Sequence, residues 1–318
     1  MKLRQAAIPT RQAFSERMVE YGSINTDFAV FEADIGYSTY TYLFGKKFPK
    51  RYFNMGIAES NMVSAAAGMA AEGRTVVVSS YGVFLSMRAA EAVRTYVCYP
   101  NLNVKFLSSH GGVTAAIDGV THQATEDIAI MSTFPNMKVL CPADSPSAMK
   151  LLDLALETPG PVFVRLMRDP LFDVYSKEYK FRIGGSHILE EGDDVTIIAY
   201  GDMVMQALNA AEELGHIGIS AEVIDMYSQK PIDKETLLKS VKKTGAVLVV
   251  ENHQKKNGLG YAVPHFLAKV DECVPFAHLG LDDVFAESGN YYQVIDKYGI
   301  SSRCITEEVQ RLIKRKKG

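Results

Sequence analysis

The segment RYFNMGIAESNMVSAAAGMAAEG, Arg51 to Gly73, places one carboxylate, Glu59, at the head of a run of mostly Ala, Ser, Gly and Met with no further charge until Glu72. A carboxyl group can share a proton with a weak base. A carboxylate in the first turn of a helix is also what the helix dipole favours, so spacing alone leaves both readings open. A second group is SSHGGVTAAIDGVTHQATED, residues 108–127, where His110 and His122 lie twelve residues apart with Asp118 and Glu126 close by. Imidazole and carboxylate side chains in one loop suit proton transfer. The alternative is a pair of surface histidines. A metal reading fails on spacing, because neither H-x-x-x-H nor H-x-x-E-H occurs. The three glycines of the segment predict a loop shaped by backbone freedom.

Two smaller groups carry less by themselves. ADIGYS, Ala33 to Ser38, puts Asp34 at the end of an apolar run, and SYGVFL, Ser80 to Leu85, puts Tyr81 and Phe84 just past another. An aromatic pair at i and i+3 can stack on a flat ligand or fill a core.

These groups need a scaffold, and the periodicity supplies one. Apolar runs at 28–34, 75–81, 103–109, 137–144 and 160–167 are continuous rather than alternating, as expected of strands covered on both faces of a parallel sheet. Helical patterns fall between them at 11–21, 59–71, 84–97, 125–133 and 145–156. Ser64 to Ala71, apart from Met69, offers small side chains that another helix or a flat ligand can approach. A polar, irregular stretch from Arg168 to His187 precedes a second block, with strands at 194–201, 221–227 and 245–252 and helices at 203–214, 233–243 and 305–316. The order predicts an α/β fold of two doubly wound αβα domains, divided near 170–190, with domains at 1–175 and 188–318. Loops at the carboxyl ends of parallel strands are where such folds place ligands.

Length and composition narrow the class. The chain has 318 residues, 47% hydrophobic and 22% charged, with a formal net charge of −3, which suits a soluble globular protein and gives no electrostatic case for nucleic acid. The basic tail RLIKRKKG reads as a solvated helix end. No signal-peptide core or membrane span is visible, and a cytoplasmic location is expected. The four cysteines are scattered without a C-x-x-C pair, so they are expected to be small core residues rather than a zinc site or disulfides.

Taken together, FNMGIAESNM and DGVTHQATED, with the His110 to His122 interval, resemble the thiamine diphosphate (ThDP) enzymes of the transketolase group. The resemblance covers essentially the whole chain and is to the pyrimidine-binding domain and C-terminal domain, as found in the separate C-terminal subunit of split transketolases. It implies that Glu59 hydrogen-bonds N1′ of the cofactor's aminopyrimidine and favours its imino tautomer, and that Tyr81 and Phe84 pack on that ring, with Asp34 also at the cofactor. It implies that His110, Asp118 and His122 serve as catalytic residues in the substrate channel. Arg11, Ser38, His110 and Arg168 match positions that bind a sugar phosphate, with Arg165 as the rival to Arg168, since guanidinium is suited to bidentate phosphate recognition. Met87 stands where some relatives have another aromatic, and Ile117 where an acidic residue is common.

The signature that anchors the diphosphate through a divalent metal in this family, GDG followed later by Asn, has no counterpart; the GD pairs are at Gly192 and Gly201. The resemblance therefore implies an N-terminal partner subunit that holds diphosphate and Mg²⁺, a homodimer of this chain within an α2β2 assembly, and sugar phosphates as substrates. The alternatives are the β subunit of a 2-oxo acid dehydrogenase, a deoxyxylulose phosphate synthase-like enzyme, and a catalytically silent structural paralogue. The presence of Glu59, His110 and Arg168 argues against the last.

Overall fold

The computed structural model describes residues 4–176 and 178–317; residues 1–3, 177 and 318, which fall at or near the ends of the expected domains, lie outside it. Inner strands buried on both faces, with a more exposed edge strand at Tyr52–Asn54, assemble into a seven-stranded sheet. Its order is Ser228–Lys230, Lys138–Leu140, Val162–Arg165, Val104–Ser109, Thr75–Tyr81, Phe28–Glu32 and Tyr52–Asn54. All neighbours are parallel except the first pair. Val76, Val77 and Val78 are all buried, which explains why the run lacks a two-residue alternation.

The second sheet runs Phe276–Leu281, Val247–Gln254, Val195–Ala199, Ala221–Asp225 and His187–Glu190, with only the last strand antiparallel. Together with the covering helices, this is the expected pair of α/β layers. One strand crosses between them: Ser228–Lys230 follows a strand of the second sheet in sequence but pairs with Lys138–Leu140 at the edge of the first.

The helix Glu59–Ala71 begins and ends where its pattern predicts. Its small residues divide, however. Ala66, Ala67 and Ala70 are buried in the core beside Val76 and Val78, while a side chain added at Gly68 would meet nothing within 4 Å. The run 84–97 is helical but wide-turned, with Ala89 N–H donating to Phe84 O at 3.2 Å and Tyr99 N–H to Arg94 O at 3.0 Å. The run 137–144 makes a strand only over Lys138–Leu140. Asp144 then leaves the sheet to cap the helix Ser145–Glu157, accepting from Ser147 N–H at 2.8 Å.

Of the cysteines, Cys98 and Cys141 are core residues, but Cys273 is exposed and Cys304 half-buried. The expectation fails for these two because one lies in an irregular surface segment before an edge strand and the other in the first turn of an amphipathic helix. Among the described residues no helix is long and apolar enough to cross a membrane.

Candidate active site

Four parallel strands end on one side of the first sheet, and Asp34, Tyr81, His110 and Arg168 lie at or just beyond their carboxyl ends. Tyr81 closes Thr75–Tyr81 in register with Ser109, so Tyr81 and His110, the residue after that strand, come together with ring centroids 3.9 Å apart. Both His110 (φ 64°) and Asp34 (φ 60°), just beyond the strand Phe28–Glu32, take the left-handed conformation. Such backbone costs a non-glycine residue about 1–3 kcal/mol and persists where the surroundings over-determine it.

The loop between the two histidines is shaped by packing against the second sheet. A Cβ on Gly112 (φ 59°) would come within 2.4 Å of the Asn252 amide, which accepts from Val113 N–H at 2.9 Å and donates to Asp202 at 2.7 Å. The chain then turns through Ala116 (φ 45°, ψ −100°) and delivers Asp118 to His110, with Oδ2 3.6 Å from Nε2. On the other side of the imidazole, Nδ1 lies 2.8 Å from Ser109 Oγ. Burial, reinforced by the charges of Arg11, Arg168 and His122, lowers the pKa of His110 to about 2. The Asp118 contact is therefore one between a carboxylate and a neutral imidazole rather than an ion pair.

His122 presents its ring edge-on to Tyr81 and to Phe84, each at 5.6 Å, and its Nδ1 lies 2.9 Å from Thr121 Oγ1. Tyr81 and Phe84 stack at 5.6 Å. The two aromatic and two imidazole rings thus form a single cluster.

A cationic end adjoins it. The Tyr81 hydroxyl lies 2.6 Å from Ser38 Oγ, and Arg11 Nη1 donates to the Ser38 carbonyl at 2.6 Å. Arg11 makes no ion pair among the described residues. Its Nε is buried without a partner, and burial lowers its pKa. Arg168 reaches Asp118 at 3.1 Å and Asp169 at 2.8 Å, and a cavity of about 320 Å³ opens beside it, lined in part by Ile117, Asp169 and Tyr292.

The rival Arg165 lies elsewhere. It is buried in an ion pair with Asp127 at 3.0 Å and donates to the carbonyls of Ala124 and Asn252, both at 2.9 Å. It ties the first sheet to the second.

Glu59 stands at the start of its helix, 4% exposed, and is reached by Arg88 Nη1 at 3.3 Å. Arg88 also lies over the Phe84 ring, 4.2 Å from its centroid, so it bridges Glu59 to the aromatic cluster. Sequence reasoning missed this arginine; the signal was a cation four residues after an aromatic in one helical run. Asp34 has a different neighbour, accepting from Asn54 at 2.9 Å. Among the described residues no group of three His, Cys, Asp or Glu side chains is placed to hold a metal ion.

The comparisons with known proteins agree on one family. The transketolase pyrimidine-binding domain matches residues 6–172, and the transketolase C-terminal domain matches residues 184–305. A 6-deoxy-6-sulfo-D-fructose transketolase subunit of a Clostridium species is 36% identical over 96% of this chain and 95% of its own. An apulose-4-phosphate transketolase subunit from Phocaeicola vulgatus is 33% identical over 97% of this chain and 98% of its own. A solved structure described as a split-gene transketolase, an inactive β4 tetramer, superposes with a TM-score of 0.91 at 42% identity, covering 98% of this chain and all of that one.

Proposed function

The chain belongs to the transketolase family, as a C-terminal subunit of the split type, and on that premise we propose that it forms half of a two-component enzyme that moves a two-carbon ketol unit from a ketose phosphate to an aldose phosphate. The observation that carries this reading is the continuous line from Glu59 through Arg88 and Phe84 to Tyr81, His110 and Arg11. Such a line offers a carboxylate, aromatic faces, imidazoles and cations in the order that a cofactor ring followed by a sugar phosphate would need.

The residues suit the aminopyrimidine end of ThDP. Glu59 is a buried carboxylate at a helix N-terminus, where it can share a proton with a ring nitrogen, and Tyr81 and Phe84 supply ring faces; Asp34 is assigned to the cofactor by the family match alone. The cofactor contributes the electron sink that lets a carbon–carbon bond beside a carbonyl break and re-form. Diphosphate and Mg²⁺ are assigned to the N-terminal subunit, because this sequence lacks the GDG motif.

The chain's own side chains handle protons and charge. His110 is held neutral, so it can donate from one nitrogen to a substrate oxygen while the other faces Ser109. His122 and Asp118 flank it and exchange protons with the sugar hydroxyls. Arg11, with an unpartnered Nε, joins Ser38, His110 and Arg168 as the anion site. The substrates named for the two relatives both carry an acidic group, a sulfonate in one and a phosphate in the other. The pyrimidine-binding part is assigned to residues 1–175 and the C-terminal part to 188–318.

The test is to mix the full chain with its N-terminal subunit, ThDP and Mg²⁺ and to follow ketol transfer and calorimetric ThDP binding. We expect both only on mixing, from an α2β2 assembly, with the isolated chain folded, self-associated and inactive. Micromolar ThDP binding and ketol transfer by this chain alone would overturn the two-component reading.

A further inference from the structure

One face of Phe84 is already covered by a side chain of the same helical run. The Arg88 guanidinium carbon lies 4.2 Å from the Phe84 ring centroid while Nη1 reaches Glu59 Oε1 at 3.3 Å. The wide turn closed by Ala89 N–H on Phe84 O underlies this placement, and local widenings of this kind are frequent at functional sites. Ser60 Oγ fixes the Arg88 carbonyl at 2.6 Å, so the backbone is tethered to the first turn of the Glu59 helix. The side chain itself is 53% exposed.

A flat cation therefore makes two contacts at once, one on an aromatic ring and one to a buried carboxylate. These are the same two contacts that the proposed function gives to the aminopyrimidine through Phe84 and Glu59. We infer that Arg88 is an internal stand-in for the aminopyrimidine: in the cofactor-free chain it pairs Glu59 and covers Phe84, and it must swing into solvent for the ring to enter. The inference rests on the assignment of Glu59 and Phe84 to the cofactor.

The physical case is a balance. A buried carboxylate without a partner is costly, so an empty site needs a substitute cation. An exposed arginine on a flexible stem gives up only a surface ion pair and a cation–π contact when it leaves, so it can be displaced. Apparent affinity for the entering ring is reduced by the fraction of chains in which the slot is filled.

The probe is 4-amino-5-hydroxymethyl-2-methylpyrimidine, titrated by NMR into the full-length chain and its Arg88→Ala, Arg88→Lys, Glu59→Gln and Arg88→Ala/Glu59→Gln variants, with folding checked by circular dichroism. Arg88→Ala should bind about tenfold more tightly than the unmodified chain, and Arg88→Lys, which keeps the charge but loses the plane, should fall between. Equal or weaker binding by Arg88→Ala, including none detectable, overturns the inference. If Glu59→Gln weakens binding while Arg88→Ala changes nothing, the cofactor assignment stands and Arg88 alone is removed. If Arg88→Ala tightens binding equally with and without Glu59→Gln, and Glu59→Gln alone leaves binding unchanged, Arg88 still covers Phe84 but Glu59 loses its place at the ring and the stand-in reading is overturned.

Discussion

The Tyr81 hydroxyl lies 2.6 Å from Ser38 Oγ, so the residue whose ring belongs to the aromatic end of the site also braces its cationic end. Arg11 rests on the Ser38 carbonyl, and the bond therefore helps position the arginine.

Tyr81→Phe keeps the ring and removes the brace. Stability should fall by about 1 kcal/mol, the net contribution of one hydrogen bond. KM for the phosphorylated sugar should rise several-fold, with KM for ThDP unchanged. Steady-state kinetics of the mixed enzyme with each component varied in turn measures the split; a change confined to ThDP would sink the bracing role.

Glu59→Gln should leave the fold intact and lower kcat by about 10² to 10⁴, the range of a lost general acid–base contribution. The amide has nearly the shape of the carboxyl but cannot pass a proton to a ring nitrogen. Hydrogen–deuterium exchange at C2 of bound ThDP reports the step directly, and a near-normal exchange rate in the variant would remove Glu59 from that role.

Arg165→Ala and Arg168→Ala should fail in different ways. Losing Arg165 leaves Asp127, fully buried, without its partner, a loss of about 3–5 kcal/mol visible as a large drop in Tm or in soluble yield. Arg168 is only partly buried, and its removal should barely change Tm but raise KM for phosphorylated sugars by about 10- to 100-fold, the equivalent of about 1.5–3 kcal/mol for a charged hydrogen bond. Equal losses for phosphorylated and unphosphorylated sugars would exclude Arg168 from the anion site.

Acid sensitivity follows from His110. Its folded pKa of about 2 lies below the ordinary value of about 6.5, so between those limits the unfolded chain binds a proton that the folded chain does not. Folding stability must then fall as pH falls below about 6.5, by up to about 1.4 kcal/mol per pH unit from this residue. His110→Gln should flatten that slope whatever its absolute stability. Urea denaturation at pH 7, 6 and 5 gives both slopes, and parallel ones would show that His110 is not the source.

The sequence by itself determined the layered α/β fold, the long strands and helices of the first block, and the family, because burial on two faces writes continuous apolar runs and motifs such as DGVTHQATED are local. It did not disclose the strands Tyr52–Asn54 and Phe276–Leu281, the latter carrying His278 and Gly280, or the helix Leu259–Lys269 with Pro264 inside it. Short edge strands and an internal proline carry weak local signals. The sequence put Arg168 ahead of Arg165 through the resemblance alone, without showing where either side chain lies. The strand ends at Arg165, and only the packing of the two sheets turns that side chain toward Asp127 and Asn252 while leaving Arg168 beyond the edge. Arg88 on Glu59, Tyr81 on Ser38 and the buried, neutral His110 were likewise decided by tertiary packing. These are relations between residues distant in the chain, and a contact across 29 or 43 positions has no periodicity to announce it.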